Sequence, residues 1–143
     1  MLVAAWLLTG CIAKWSRPDL ADRAGRTGDV LVQYAAATCR SRRPADDQPS
    51  FPFTSDGCSS WPDDGWVACC VEHDIDYWCG GPPHARLAAD AHLDACVREV
   101  ENRHLGDLMY WGVRVGGTPW SPFPFRWAYG FAGIHGYDRE PPR

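Results

Sequence analysis

The sequence predicts a mainly α-helical, disulfide-containing domain built around an antiparallel pair of helices. Two stretches with helical spacing of apolar residues, 65–79 and 84–104, are separated only by a Gly-Gly-Pro-Pro turn. A connection that short makes consecutive helices run antiparallel. Seven cysteines in 143 residues are dense for a reduced cytosolic protein and indicate an oxidising compartment. A chain of this length is expected to form one core.

The N-terminal segment, 1–28, is predicted to be a signal segment and tether before a folded domain at 29–143. Its apolar start ends in Leu-Thr-Gly-Cys, which resembles a bacterial lipobox and would make Cys11 a lipidation site. The protein is then expected to be secreted or to be a bacterial cell-envelope lipoprotein. The segment lacks the basic residues expected of a signal peptide. Either the true start lies upstream, or this is a buried helix whose cysteine is incidental.

The elements of the domain follow from spacing and composition. Residues 29–39 have helical spacing and predict a first packed helix that ends near Cys39. The proline-containing stretch 40–53 is predicted to be a linker, and the turn formers at 54–65 predict an ordered loop. From Leu105 onward, aromatic residues, glycine and proline are frequent and no clean period is visible. We expect an irregular tail there that covers the core and partly contacts a lipid interface.

The charge pattern argues against nucleic acid as a partner. The formal net charge is -4, and arginines are interspersed with aspartates and glutamates. No basic stripe is therefore available for a phosphate backbone. We also expect the protein to be a monomer.

Charged side chains lie where the predicted helix pair should be packed. Cys70, His73, Asp74 and Tyr77 have offsets of 0, 3, 4 and 7, so they form one stripe of a helix. On the next helix, Asp90 lies on the apolar side and points inward. A buried carboxylate is costly unless it is paired, so Asp90 needs a partner on the facing helix.

The antiparallel register offers that partner. If Cys69 faces Cys96, the same register brings His73 opposite Asp90 to within about one residue, roughly 1.5 Å of helical rise. A histidine oriented by a carboxylate suits a general base, and such a base could activate water directly. Asp74 points about 100° away, toward the preceding loop, where a carboxylate beside backbone carbonyls is suited to Ca²⁺.

These residues carry a family resemblance. The run CCVEHDIDY at 69–77, with the Cys58 loop before it and Asp90 six residues before Cys96, resembles secreted phospholipase A2. The matching spacing covers roughly residues 54–97, and the short connection between the helices is similar to the compact prokaryotic and fungal branch. The fold implied is a phospholipase A2-like, disulfide-linked helix pair with a preceding calcium-binding loop.

The resemblance implies a reaction and assigns its residues. It implies calcium-dependent hydrolysis of the sn-2 ester of glycerophospholipids at a membrane interface. His73 would be the general base, Asp90 its orienting partner, and Tyr77 the residue that braces Asp90 through its hydroxyl. The backbone N–H of Ser59 would help to bind the oxyanion.

The implied calcium site combines one helix and one loop. Its ligands would be the carboxylate of Asp74 and the backbone carbonyls of Gly57, Ser59 and Trp61. The loop departs from the glycine-rich loop of the animal enzymes, and its Asp-Gly-Cys sequence suggests a side-chain ligand from Asp56 or Asp63.

The resemblance also implies how the cysteines pair. The implied disulfides are Cys58 with Cys70 and Cys69 with Cys96, while Cys39 and Cys79 remain and could pair with each other, leaving Cys11 single. A further departure from the animal enzymes is Asp76, which stands where they have a cysteine.

Three other interpretations compete with this one. An isolated His-Asp pair is most simply the polar face of a surface helix. Cys69, Cys70 and His73 are also zinc-type ligands, but adjacent cysteines cannot easily chelate one ion from a regular helix. The third is a catalytically silent phospholipase-like lipoprotein that binds a membrane or a partner protein, for which an intact buried His73 and Asp90 would be unnecessary.

Overall fold

The described part of the chain forms four helices. The computed structural model describes residues 29–44, 47–58, 61–62, 64–120 and 129–130, and within these ranges it contains no β-strand. In chain order the helices are α1 (Asp29–Arg40), α2 (Val67–Cys79), α3 (Pro83–Val100) and α4 (Arg103–Gly116). The predicted mainly α-helical architecture is confirmed. The segment that contains Cys11 and most of the C-terminal tail lie outside the described residues.

Helix α1 packs one face against α2. Leu31, Ala35 and Cys39 are buried at four-residue intervals, which is the spacing of a single helical stripe. A disulfide joins Cys39 to Cys79 at the end of α2. The predicted first helix is confirmed.

Helices α2 and α3 form the predicted antiparallel pair. The connection turns at Gly80, whose φ of 71° lies in the left-handed region and whose N–H donates to the carbonyl of Asp76. Pro83 then begins α3, at a position where a missing N–H costs nothing. Cys69 is bonded to Cys96 across the pair, and Cys58 is bonded to Cys70, which ties the preceding loop to α2. The three disulfides are the expected ones.

The chain beyond α3 differs from the prediction. A helix to residue 104 followed by an irregular tail is wrong, because α3 ends at Val100 and residues from Arg103 form α4. Asn102 causes the new start: its side-chain Oδ1 accepts a hydrogen bond from Leu105 N at 3.0 Å and caps the helix.

Helix α4 packs closely on α3. A Cβ atom at Gly106 would lie 2.7 Å from Arg98 Cγ and 2.7 Å from Asp94 Oδ1, so only glycine allows this approach. Met109, one turn further on, is buried in the cluster that contains Leu93 and Val97. No helix among the described residues is long and apolar enough to cross a membrane.

Candidate active site

His73 and Asp90 meet in the interior, as the register predicts. His73 Nε2 lies 2.9 Å from Asp90 Oδ1. His73 is buried, and Asp90 is 0% exposed. Because an ionised carboxylate can only accept hydrogen bonds, the proton of the neutral imidazole is on Nε2. Nδ1 is then the ring nitrogen that can accept a proton.

Tyr77 contacts both members of this pair. Its hydroxyl donates to Asp90 Oδ1 at 2.7 Å, and its ring centroid lies 4.2 Å from that of His73. Burial and the neighbouring charge of Asp90 raise the pKa of Tyr77 well above its ordinary value. The hydroxyl therefore keeps its proton and serves as a donor.

Two arginines that the sequence did not assign to the site also approach Asp90. Arg114 Nη1, from α4, lies 2.6 Å from Asp90 Oδ2. Arg86 is buried on α3; its Nε donates to the Tyr77 hydroxyl at 3.2 Å and lies 3.8 Å from Asp90 Oδ2. Arg86 precedes Asp90 by four residues, a helical spacing that could have revealed it. Arg114 could not be placed, because α4 was not predicted.

These donors keep Asp90 ionised despite its burial. Burial raises the pKa of Asp90, but the hydrogen bond and charge of His73, with the hydrogen bonds from Arg114 and Tyr77, lower it further than burial raises it. The resulting pKa lies below the ordinary value for an aspartate. Asp90 is thus a carboxylate at neutral pH and can stabilise an imidazolium at His73.

A pocket of about 190 Å³ opens beside His73. Its walls come from the loop (Gly57 and Trp61), from α2 (His73 and Asp74) and from α4 (Met109 and Val113). The histidine and a carboxylate thus border a space with apolar walls. Such a mixture suits a ligand that is largely apolar and carries one polar reacting group.

The loop before α2 orients the Asp74 carboxylate, which lines this pocket. Asp74 Oδ2 accepts a hydrogen bond from Ser55 Oγ at 2.6 Å, and Ser55 Oγ accepts one from Gly57 N at 3.1 Å. Gly57 has a φ of 78°, a conformation that favours glycine. Asp74 lines the pocket together with Gly57 and Trp61 of this loop, and a carboxylate combined with loop carbonyls is the hard-oxygen donor chemistry that Ca²⁺ prefers.

The other predicted calcium ligands are less favourably placed or lie outside the described residues. Asp56 is exposed and does not line the pocket. Ser59, with its proposed oxyanion role, and Asp63 lie outside the described residues. The described residues hold no group of three or more histidine, cysteine or acidic side chains suited to a metal. A cation here would therefore depend on backbone carbonyls.

Two further expectations concern α2. Cys69 and Cys70 are both in disulfides, so neither thiolate is available to zinc. Asp76, which the resemblance aligns with a cysteine of the animal enzymes, forms an ion pair with Arg42.

Comparison with protein-family models, with curated proteins and with solved structures finds no match to this chain. The resemblance to phospholipase A2 therefore depends on the residues and geometry described above.

Proposed function

We propose that this chain is a calcium-dependent phospholipase A2, which hydrolyses the sn-2 ester of glycerophospholipids with water activated by a histidine. The observation that carries the proposal is the buried contact between His73 Nε2 and Asp90 Oδ1 at the wall of a largely apolar pocket. A surface helix with a polar face does not explain a carboxylate that is fully buried and ion-paired.

The proposed reaction begins with water next to His73. Nδ1 accepts a proton from that water as its oxygen attacks the ester carbonyl, and Asp90 stabilises the imidazolium that forms. The proton then passes from Nδ1 to the departing alcohol oxygen. Tyr77 and Asp90 hold the ring in place throughout.

The residues proposed to hold Ca²⁺ are Asp74 and the backbone of Gly57, Ser59 and Trp61. Bound Ca²⁺ supplies positive charge that polarises the ester carbonyl and neutralises the lipid phosphate. Ser55 orients the Asp74 carboxylate through their 2.6 Å hydrogen bond.

A membrane surface is the proposed partner of α4. Leu108, Trp111 and Val115 lie on one side of this helix and are 56%, 64% and 78% exposed. The same helix lines the pocket with Met109 and Val113. Lipid that contacted the exposed side chains would lie close to the pocket, and an anchor at Cys11 would hold the protein at that surface.

The test is fatty acid release from phosphatidylcholine and phosphatidylglycerol vesicles by oxidised full-length protein, with calcium and then with a chelator. We expect calcium-dependent release that His73→Gln abolishes. His104→Gln, at an exposed position on α4, is the matched control and should retain activity. A folded wild-type protein that binds vesicles without releasing fatty acid would instead support the catalytically silent lipoprotein.

A further inference from the structure

Both oxygens of the Asp90 carboxylate are held, each from a different side. Oδ1 accepts from Tyr77 and contacts His73, both on α2. Oδ2 accepts from Arg114 at 2.6 Å, on α4. A carboxylate held at one oxygen can rotate about its Cβ–Cγ bond, whereas one held at both cannot without breaking a charge-assisted hydrogen bond. Arg114 thus determines the plane in which Oδ1 meets His73.

Arg86 fixes the position of the backbone that carries Arg114. Its Nη2 donates to the carbonyls of Val113 at 3.0 Å and Arg114 at 2.7 Å. Both carbonyls belong to the last turn of α4, where few helical N–H partners remain; the Val113 carbonyl also accepts from Gly117 N at 2.9 Å. Arg86 is 3% exposed, so its position is fixed by packing as well as by hydrogen bonds. The guanidinium therefore ties the C-terminal turn of α4 to α3.

We infer that Arg114 is a positioning residue of the active site. Arg86 holds Arg114 in place, because it binds the last turn of α4. The base comes from α2, its carboxylate from α3, and the cation that orients and neutralises the carboxylate from α4. The inference rests on the proposed hydrolysis for its kinetic test only. The geometry itself predicts a spectroscopic effect that does not depend on activity.

The charge arrangement explains why a cation is needed here. Asp90 is completely buried, and a buried carboxylate without a partner is strongly destabilising. Among the described residues, the charged or titratable groups that contact it are His73 and Tyr77 on α2, Arg86 on α3 and Arg114 on α4. Arg114 thus gives the buried carboxylate a charged partner on α4 in addition to His73 on α2.

The kinetic test replaces Arg114 in the full-length, oxidised protein. Arg114→Ala should lower kcat roughly 10- to 100-fold with little change in KM, because a misplaced base slows the chemical step. Arg114 is 25% exposed, so added methylguanidinium can reach the space left by the side chain and should restore part of kcat. Arg114→Lys should retain more activity than Arg114→Ala. Arg103→Ala, at a 78% exposed position of the same helix, is the matched control and should change neither parameter.

The second test follows the His73 Nε2 proton by NMR and needs no activity. A proton shared with a buried carboxylate gives a low-field resonance, expected in the wild type and in Arg103→Ala. We expect it to move or broaden in Arg114→Ala and to recover with methylguanidinium. If Arg114→Ala does not fold, both measurements are made on Arg114→Gln, which keeps a hydrogen-bond donor but removes the charge.

The outcomes separate the two proposals. A wild type without hydrolysis whose low-field resonance still responds to Arg114→Ala overturns the proposed function but supports the positioning role. A folded Arg114→Ala protein with an unchanged resonance and an unchanged kcat overturns the positioning role. Lost activity that methylguanidinium does not restore, with an unchanged resonance, also overturns it.

Discussion

Gly117 lies against the ring of Tyr77, at the point where α4 ends. A Cβ atom built at Gly117 would be 2.5 Å from Tyr77 Cε1 and 2.6 Å from its hydroxyl oxygen. The hydroxyl is the group that donates to Asp90. Any side chain at position 117 must therefore displace the residue that braces the carboxylate.

Gly117→Ala should impair both stability and hydrolysis. The φ of Gly117 is -89°, which alanine adopts readily, so the effect is steric and not due to backbone strain. We expect a loss of about 1–3 kcal/mol in the free energy of unfolding, as for other overpacked sites, and a lower kcat. Urea denaturation and fatty acid release measure the two effects. Gly65→Ala, where a Cβ atom would meet nothing within 4 Å, is the control; equal behaviour of the two variants would contradict the prediction.

Asp90 should make stability depend on pH in the acid range. Burial raises its pKa, but His73, Arg114 and Tyr77 lower it below the ordinary value. Because the folded-state pKa is depressed, the stabilisation is fully present above the unfolded pKa, about 4. It is lost as the pH falls through the folded-state pKa.

Urea midpoints of the oxidised protein between pH 7 and pH 3 measure this dependence. Asp90→Asn should lower stability at pH 7, since it leaves buried Arg86 without its carboxylate, and should flatten the fall toward pH 3. Asp107→Asn, at a half-exposed position on α4, should leave the slope close to that of the wild type. An Asp90→Asn protein with the wild-type slope would exclude Asp90 as the titrating group.

Removal of two different disulfides should affect stability and activity in opposite orders. Cys39–Cys79 spans 40 residues and Cys58–Cys70 spans 12. In the chain-entropy model the longer loop contributes about 1 kcal/mol more to stability. Replacing both cysteines of each pair with alanine should therefore lower the unfolding free energy more for Cys39–Cys79. Activity should fall more for Cys58–Cys70, because that bridge holds the loop with Gly57. The opposite order of activities would argue against a role for the loop.

Calcium should stabilise the folded protein through Asp74. A ligand that binds only the folded state raises stability by an amount that grows with its concentration. Thermal denaturation with increasing calcium should show a rising Tm for the wild type, a much smaller rise for Asp74→Asn, and an unchanged rise for Asp107→Asn. Chelator should remove the effect. A wild-type Tm that stays the same at all calcium concentrations would count against the calcium site.

Much of the site follows from local patterns in the sequence. The helical spacing of 65–79 and the Gly-Gly-Pro-Pro turn are short-range features, and together they determine the antiparallel pair. The register of that pair brings His73 to Asp90 because both lie on inward faces. The observed disulfides agree with the pairing that the phospholipase A2 resemblance implies.

Only the tertiary structure decided the contribution of α4. Its glycines hide the apolar spacing of Leu105, Met109 and Val113, and the break between α3 and α4 depends on a single capping side chain, Asn102. A sequence pattern cannot show that Arg114 reaches Asp90, because that contact depends on how α4 packs across α3. The sequence by itself determined the pairing of His73 with Asp90, because both lie on the facing sides of one helix pair, while packing supplied Arg114, the cation that holds the carboxylate.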